Sequence, residues 1–208
     1  MQIKKEAKVN SNIVKILSLL IVLSAFIVIL GRIFNVLVLR YFLPNAQGMS
    51  LITAISFVLT AGIIYYLNEH QKGNIFTASV IVPFFTSMIL LLMLYHLVSD
   101  LTGLHPLLDE LFIGHNEEIV YIPSLLTLFN FLLISLAAMM CIFNKPGYKR
   151  GFKIIGAIIV LTGLTAVLGY IFNQSAMYYL IEDNNGMAIQ TASLFIITGI
   201  SLILLRKY

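Results

Sequence analysis

The side chains of this 208-residue chain that could do chemistry are few and scattered. Histidines stand at positions 70, 96, 105 and 115, and the single cysteine is Cys141. His96, His105 and His115 could ligate a metal together with Asp100, Glu117 or Glu118, but their spacing fits no metal motif, and a solvated acidic loop is the expected reading. Haem held by two imidazoles needs both inside one bundle at matched depth. Only His96 lies within an apolar run, so no haem is expected. Cys141 has no partner for an internal disulfide and serves as a small apolar residue. The chain has no G-x-S-x-G, no H-E-x-x-H and no glycine-rich phosphate loop. Neither an enzyme nor a cofactor is expected from this set.

What remains is a series of hydroxyls on apolar segments. Thr53, Thr60, Thr191 and Thr198 lead it, with Ser50 and Ser56 beside them and Asn130 as the amide. Packing by small residues, with interhelical hydrogen bonds of about 0.6–2 kcal/mol, accounts for such residues. The functional reading is a shallow cavity opening outward. Its ligand-binding candidates are Asn35, Met49, Thr53, Tyr121, Asn173, Met187 and Thr191. A pocket lined by Met and aromatic groups with few polar ones suits a small apolar or amphipathic ligand.

The elements that would position these residues follow from composition. The chain is 60% hydrophobic and 11% charged, with a mean hydropathy of +0.97. A soluble domain of this length has too little interior to hide that much apolar surface, so the solvent must be lipid. Apolar runs lie at Asn12–Ile33, Ser50–Leu67, Phe76–Leu97, Ile122–Phe143, Lys153–Phe172 and Ala188–Leu205. Each is close to the roughly 20 residues that a bilayer core of ~30 Å requires. Six spans are therefore expected, the first an uncleaved helix, because its apolar stretch outlasts a signal-peptide core and no A-x-A-like site follows. Pro83 is expected to kink the third. No Asp, Glu, Lys or Arg falls near the middle of a span, which argues against a pump or charge-coupled transporter.

Charge sets the orientation. With the N-terminus inside, 11 of the 13 basic residues fall inside, and only Arg32 and Arg40 fall outside. That is a strong positive-inside bias, placing both termini in the cytoplasm of a cell membrane. The net charge of +4 is thus an orientation signal and predicts no nucleic-acid partner. Arg32 and Lys153 are expected to snorkel from helix ends.

Residues 30–35 read L-G-R-I-F-N, and residues 168–173 read L-G-Y-I-F-N. Aligned without gaps, 30–67 and 168–205 are identical at 13 of 38 positions, among them Asn35, Met49, Thr53, Ala54 and Phe57. A fainter middle copy is marked by Gly103, Tyr121 and Phe129. The fold class expected is an all-α integral membrane protein, one domain of three repeated helical hairpins at 12–68, 76–144 and 153–205. The connectors 35–44, 106–113 and 174–183 are expected as amphipathic helices at the outer interface.

This pattern resembles the repeat-built membrane sensor segments found ahead of PAS, histidine kinase or diguanylate cyclase domains in prokaryotic signalling proteins. The matching residues are Gly31, Phe34, Asn35, Met49, Ser50, Thr53, Ala54 and Phe57. In the last copy they are Gly169, Phe172, Asn173, Met187, Ala188, Thr191, Ala192 and Phe195, and in the middle copy Gly103, Pro123 and Phe129. The likeness spans about residues 13–205. It implies a sensory module: in that family an output domain follows the last helix, whereas this sequence ends at L-L-R-K-Y, so the module is expected to be either a trimmed input segment or a protein acting through a cytoplasmic signalling partner. A substrate-capturing membrane subunit of a small-molecule transporter is the alternative that six helices in this length also suit.

Overall fold

The computed structural model describes residues 2–34, 36, 48–71, 73, 75–102, 123–143, 147–179 and 186–205. Among them the regular elements are helical: α1 (Gln2–Ile33), α2 (Leu51–Gln71), α3 (Ile75–Thr102), α4 (Leu125–Ile142), α5 (Tyr148–Ile171), a 3-10 turn (Ser175–Met177) and α6 (Ile189–Leu204). The first five helices are long and apolar enough to cross a membrane; α6, at 16 residues, is shorter. The chain is an all-α membrane protein. α1 begins ten residues before Asn12, where the apolar run opens, because a polar but helix-favouring stretch extends it. α3 runs unbroken through Pro83.

Each helix packs on its neighbours in sequence and α6 returns to α1, which closes a ring; α2 also meets α4 and α6 across the centre. Successive helices are antiparallel. Between α1 and α2, Arg32 reaches Met49 and Asn68 reaches Ser11. Between α4 and α5, Thr162 bonds Asn130, and Gly151 faces Met140. The even-numbered helices lie inside the odd-numbered ones. Within the apolar window, 67% of α2 and 50% of α4 are buried, against 28% of α1 and α3. The outer helices turn large apolar side chains outward, for example Leu23 on α1, Phe84 on α3 and Leu161 on α5. Lipid is the solvent that makes such a surface stable.

The centre is aromatic. Phe57 of α2, Phe131 of α4 and Phe195 of α6 are fully buried and meet with centroids 4.8–5.1 Å apart, Phe131 edge to face with each of the others and Phe57 tilted against Phe195. One turn before each stands a buried threonine: Thr53, Thr127 and Thr191. Two turns after each stands a buried aliphatic residue: Ile64, Ala138 and Leu202. Phe129, expected to mark the middle copy, is instead exposed. The physical reason is a longer connector. α3 ends at Thr102 and α4 begins at Leu125, 23 positions on, against 18 from Ile33 to Leu51 and from Ile171 to Ile189. A ruler of fixed length therefore lands on the wrong face of α4. Gly103 and Tyr121, its other two marks, lie outside the described residues.

The α5–α6 pair packs most closely. A Cβ on Gly156 would stand 2.7 Å from the Gly199 carbonyl, and one on Gly163 would stand 2.7 Å from that of Ala192. Small residues let two backbones approach where lipid gives helices no hydrophobic reason to associate, and dispersion then holds them.

Candidate functional site

The repeated hexapeptide is a helix end. In α5, Phe172 N–H bonds the Leu168 carbonyl and Gln174 N–H bonds that of Gly169; in α1, Phe34 N–H bonds Leu30 and Val36 N–H bonds Gly31. This is the Schellman closure, whose C′ residue adopts a left-handed backbone. Asn173 does so, with φ 56°. Asparagine tolerates that region better than other side chains do. Gly169 is glycine because a Cβ would stand 2.7 Å from that of Met177, where the connector folds back over the helix end. Ile33, Phe34, Ile171 and Phe172 point outward.

The same end of the bundle holds two clamps. Arg32 is buried and donates from Nε and Nη2 to the Met49 carbonyl at 3.0 and 2.7 Å. Snorkelling is thus not its role: the guanidinium turns inward, because the backbone ahead of α2 is not helical and Thr53 N–H bonds Ser50 Oγ, which leaves Met49 O without a helical donor. At the position 138 residues on, the Tyr170 hydroxyl donates to the Met187 carbonyl at 3.0 Å. The Met187 N–H in turn bonds the Tyr178 carbonyl at 2.9 Å, and the rings of Tyr170 and Tyr178 stack at 4.3 Å. Tyr179 lies 5.0 Å from Tyr178. Two unlike side chains so perform one task, which is to satisfy the last non-helical carbonyl before an inner helix starts.

The candidate ligand-binding residues divide accordingly. Met49 and Met187 are buried in the apolar core. The Thr53 hydroxyl is 2.7 Å from the Ser50 hydroxyl, which caps α2 by accepting from Thr53 N–H. Ser124 and Thr127 form the same pair on α4 at 2.9 Å, a match that the faint middle copy had not suggested. Such caps contribute about 1 kcal/mol each. Thr191 is buried on α6, whose cap residue Ala188 has no side-chain bond to give. Asn173 is exposed on the helix end, apart from these buried residues. Asn35 and Tyr121 lie outside the described residues, as do His105, His115, Glu117 and Glu118. Of the connectors, 174–179 forms one 3-10 turn in place of the expected longer helix, since the Schellman closure and the Met187–Tyr178 bond hold it across the end of α5.

Asn173 offers a direct test of cap against ligand contact. Asn173→Gly keeps the left-handed backbone and is expected to leave thermal stability within about 0.5 kcal/mol of wild type. Asn173→Val forces a β-branched residue into that region and is expected to cost about 1–2 kcal/mol. Equal losses from both variants would show that the amide itself matters.

The other chemical groups are dispersed. His96 is buried on α3, edge to face with Tyr95 at 5.7 Å. At the opposite end of the bundle Cys141 Sγ lies 3.9 Å from His70 Nδ1, and Lys15 pairs with Glu69 at 3.0 Å. Among the described residues no three of His, Cys, Asp and Glu cluster as metal ligands would. Compared with protein-family models, curated proteins and solved structures, the chain matches none.

Proposed function

We propose that the chain is a six-span, three-hairpin module of the cell membrane that senses a condition at its outer side and passes it to a cytoplasmic signalling partner. The distribution of basic residues supports cytoplasmic termini. The antiparallel packing agrees with that placement: Asn68 bonds Ser11 near the start of α1, and Gly156 lies against Ile203 near the end of α6, both at the end opposite the clamps. The three-hairpin reading rests on the shared 138-residue offset of clamp and helix closure, and on the meeting of Phe57, Phe131 and Phe195.

The observation that carries the sensory reading is the pair of clamps. Each ties an outer-helix end to the first residues of an inner helix, and each inner helix runs on through the aromatic centre to the cytoplasmic end. In the third hairpin, connector, Tyr178 and Met187 form one bonded unit. A small apolar or amphipathic ligand settling against Tyr170, Tyr178 and Tyr179, or a change in the bilayer there, shifts the populations of inner-helix positions. The Tyr170 hydroxyl and the Tyr178 carbonyl both hold Met187 there, so this is where a modest ligand has leverage on the start of α6.

Native mass spectrometry of the chain purified in mild detergent tests the reading. A bound small molecule retained by wild type and lost from Tyr178→Ala supports it. An apo mass carrying only exchangeable lipid, unchanged by added amphiphiles, removes ligand sensing. Co-purification with a transport ATPase favours the substrate-capturing subunit instead.

A further inference from the structure

Hydroxyls inside apolar helices usually bond a carbonyl one turn back on their own helix. Many here do: Ser18 to Lys15, Ser87 to Pro83, Thr165 to Thr162, Ser193 to Ile189 and Ser201 to Ile197, all at 2.8–2.9 Å. A second group does not. Ser56, Thr60, Thr86, Ser135 and Thr198 are all buried, at 0–2% exposure, and none of their hydroxyls has a hydrogen-bond partner among the described residues; Ser56 stands a turn higher, next to Phe57, and the other four form a set.

These four stand at one depth. Thr60 and Thr198 follow Phe57 and Phe195 by three residues, and Ser135 follows Phe131 by four, so each sits one turn below the aromatic triad. Thr86 joins them from α3, because the antiparallel α2–α3 contact sets Gly62 against Phe85. The depth is also the middle of α2, α4 and α6. Above the layer the three phenylalanines close the axis. Below it lie Ile64, Ala138 and Leu202, fully buried.

We infer that the midplane layer of Thr60, Thr86, Ser135 and Thr198 is a buried water-binding site enclosed by the bundle. The chemistry selects a neutral occupant, since the layer offers four hydroxyls, each donor and acceptor, and carries no charge. The aromatic and aliphatic layers on either side select a small one. Buried waters bond about three polar groups each, so the layer suits roughly one or two molecules. Four hydroxyls left bare at the centre of a bilayer would each forfeit a hydrogen bond that lipid cannot replace. The assignment does not depend on the sensory reading and stands or falls separately from it.

The test is a sign. Thr60→Val and Thr198→Val keep side-chain volume and delete only the hydroxyl. A hydroxyl that holds water loses a bonded partner on deletion, and the thermal midpoint of each variant in one detergent falls. A dry hydroxyl is a buried unsatisfied group, and its deletion raises the midpoint or leaves it in place; that result in both variants overturns the site. Should either variant fail to fold, an experimental density map of the wild type that resolves ordered water decides. Density within hydrogen-bonding distance of at least two of the four hydroxyls is expected. The same map with the layer empty and the hydroxyls turned onto their own helices overturns the site.

Discussion

Arg32→Ala is expected to destabilise the protein by about 3 kcal/mol, and Tyr170→Phe by about 1 kcal/mol, although both remove a side-chain donor from an equivalent carbonyl. The difference lies in the donor. The guanidinium delivers two charge-assisted bonds to Met49 O, at 3.0 and 2.7 Å, whereas the phenol delivers one neutral bond at 3.0 Å. Charge-assisted bonds are worth roughly twice as much as neutral ones. In either variant the orphaned carbonyl belongs to a methionine with almost no exposure, so water cannot reach it. Arg32→Tyr is expected to recover part of the loss, since Tyr170 already holds the Met187 carbonyl between α5 and α6. Reversible unfolding of all three variants in one detergent checks the order. An Arg32→Ala protein as stable as wild type would mean that the clamp holds nothing.

The second large effect is expected at the aromatic centre. Phe57→Ala, Phe131→Ala and Phe195→Ala should each cost about 3–5 kcal/mol, as cavities in packed cores do. Phe129→Ala, two residues from Phe131 but 47% exposed, should change stability by about 0.5 kcal/mol or less. The three rings also touch pairwise. Edge-to-face pairs add about 0.5–1.5 kcal/mol beyond area burial, so double variants should lose less than the sum of the singles. A severe Phe129→Ala with a mild Phe131→Ala would move the α4 register by two residues and dissolve the triad.

These two sites show what the sequence makes legible. Composition and run length suffice for membrane-crossing helices, because lipid demands apolar length and little else. The offset of 138 residues is visible because helix closure and the start of the next helix need particular residues, Gly and Asn at one and Met and Thr at the other. The middle hairpin hides its Phe131 because connector length is free to vary, and a ruler of fixed length cannot follow it. Arg32 reads as a snorkelling cation because position along a helix is visible in sequence and the direction of a side chain is not. Thr53 and Asn173 read as ligand contacts for a related reason. A residue repeated for capping and one repeated for binding look alike until a bond distance or a backbone angle separates them. Of the midplane layer only Thr60 and Thr198 stand out in sequence, as repeated small polar residues; depth and lack of partners are properties of the packed bundle.

The brevity of α6 has a bearing on bilayer thickness. Sixteen residues of helix cover about 24 Å, less than the ~30 Å of an average hydrocarbon core. A lone span of that length would draw the two leaflets together around it, at a cost of fractions of a kcal/mol per Å. Here the missing length is made up by non-helical backbone at Gly186–Ala188, all of it buried, with both polar groups of Met187 already bonded to Tyr178 and Tyr170. Non-helical chain is tolerated at that depth only where protein covers it. On the six-span reading proposed above, lipid meets mainly the longer outer helices, and the mismatch of α6 is absorbed inside the protein, leaving the surrounding membrane unpinched.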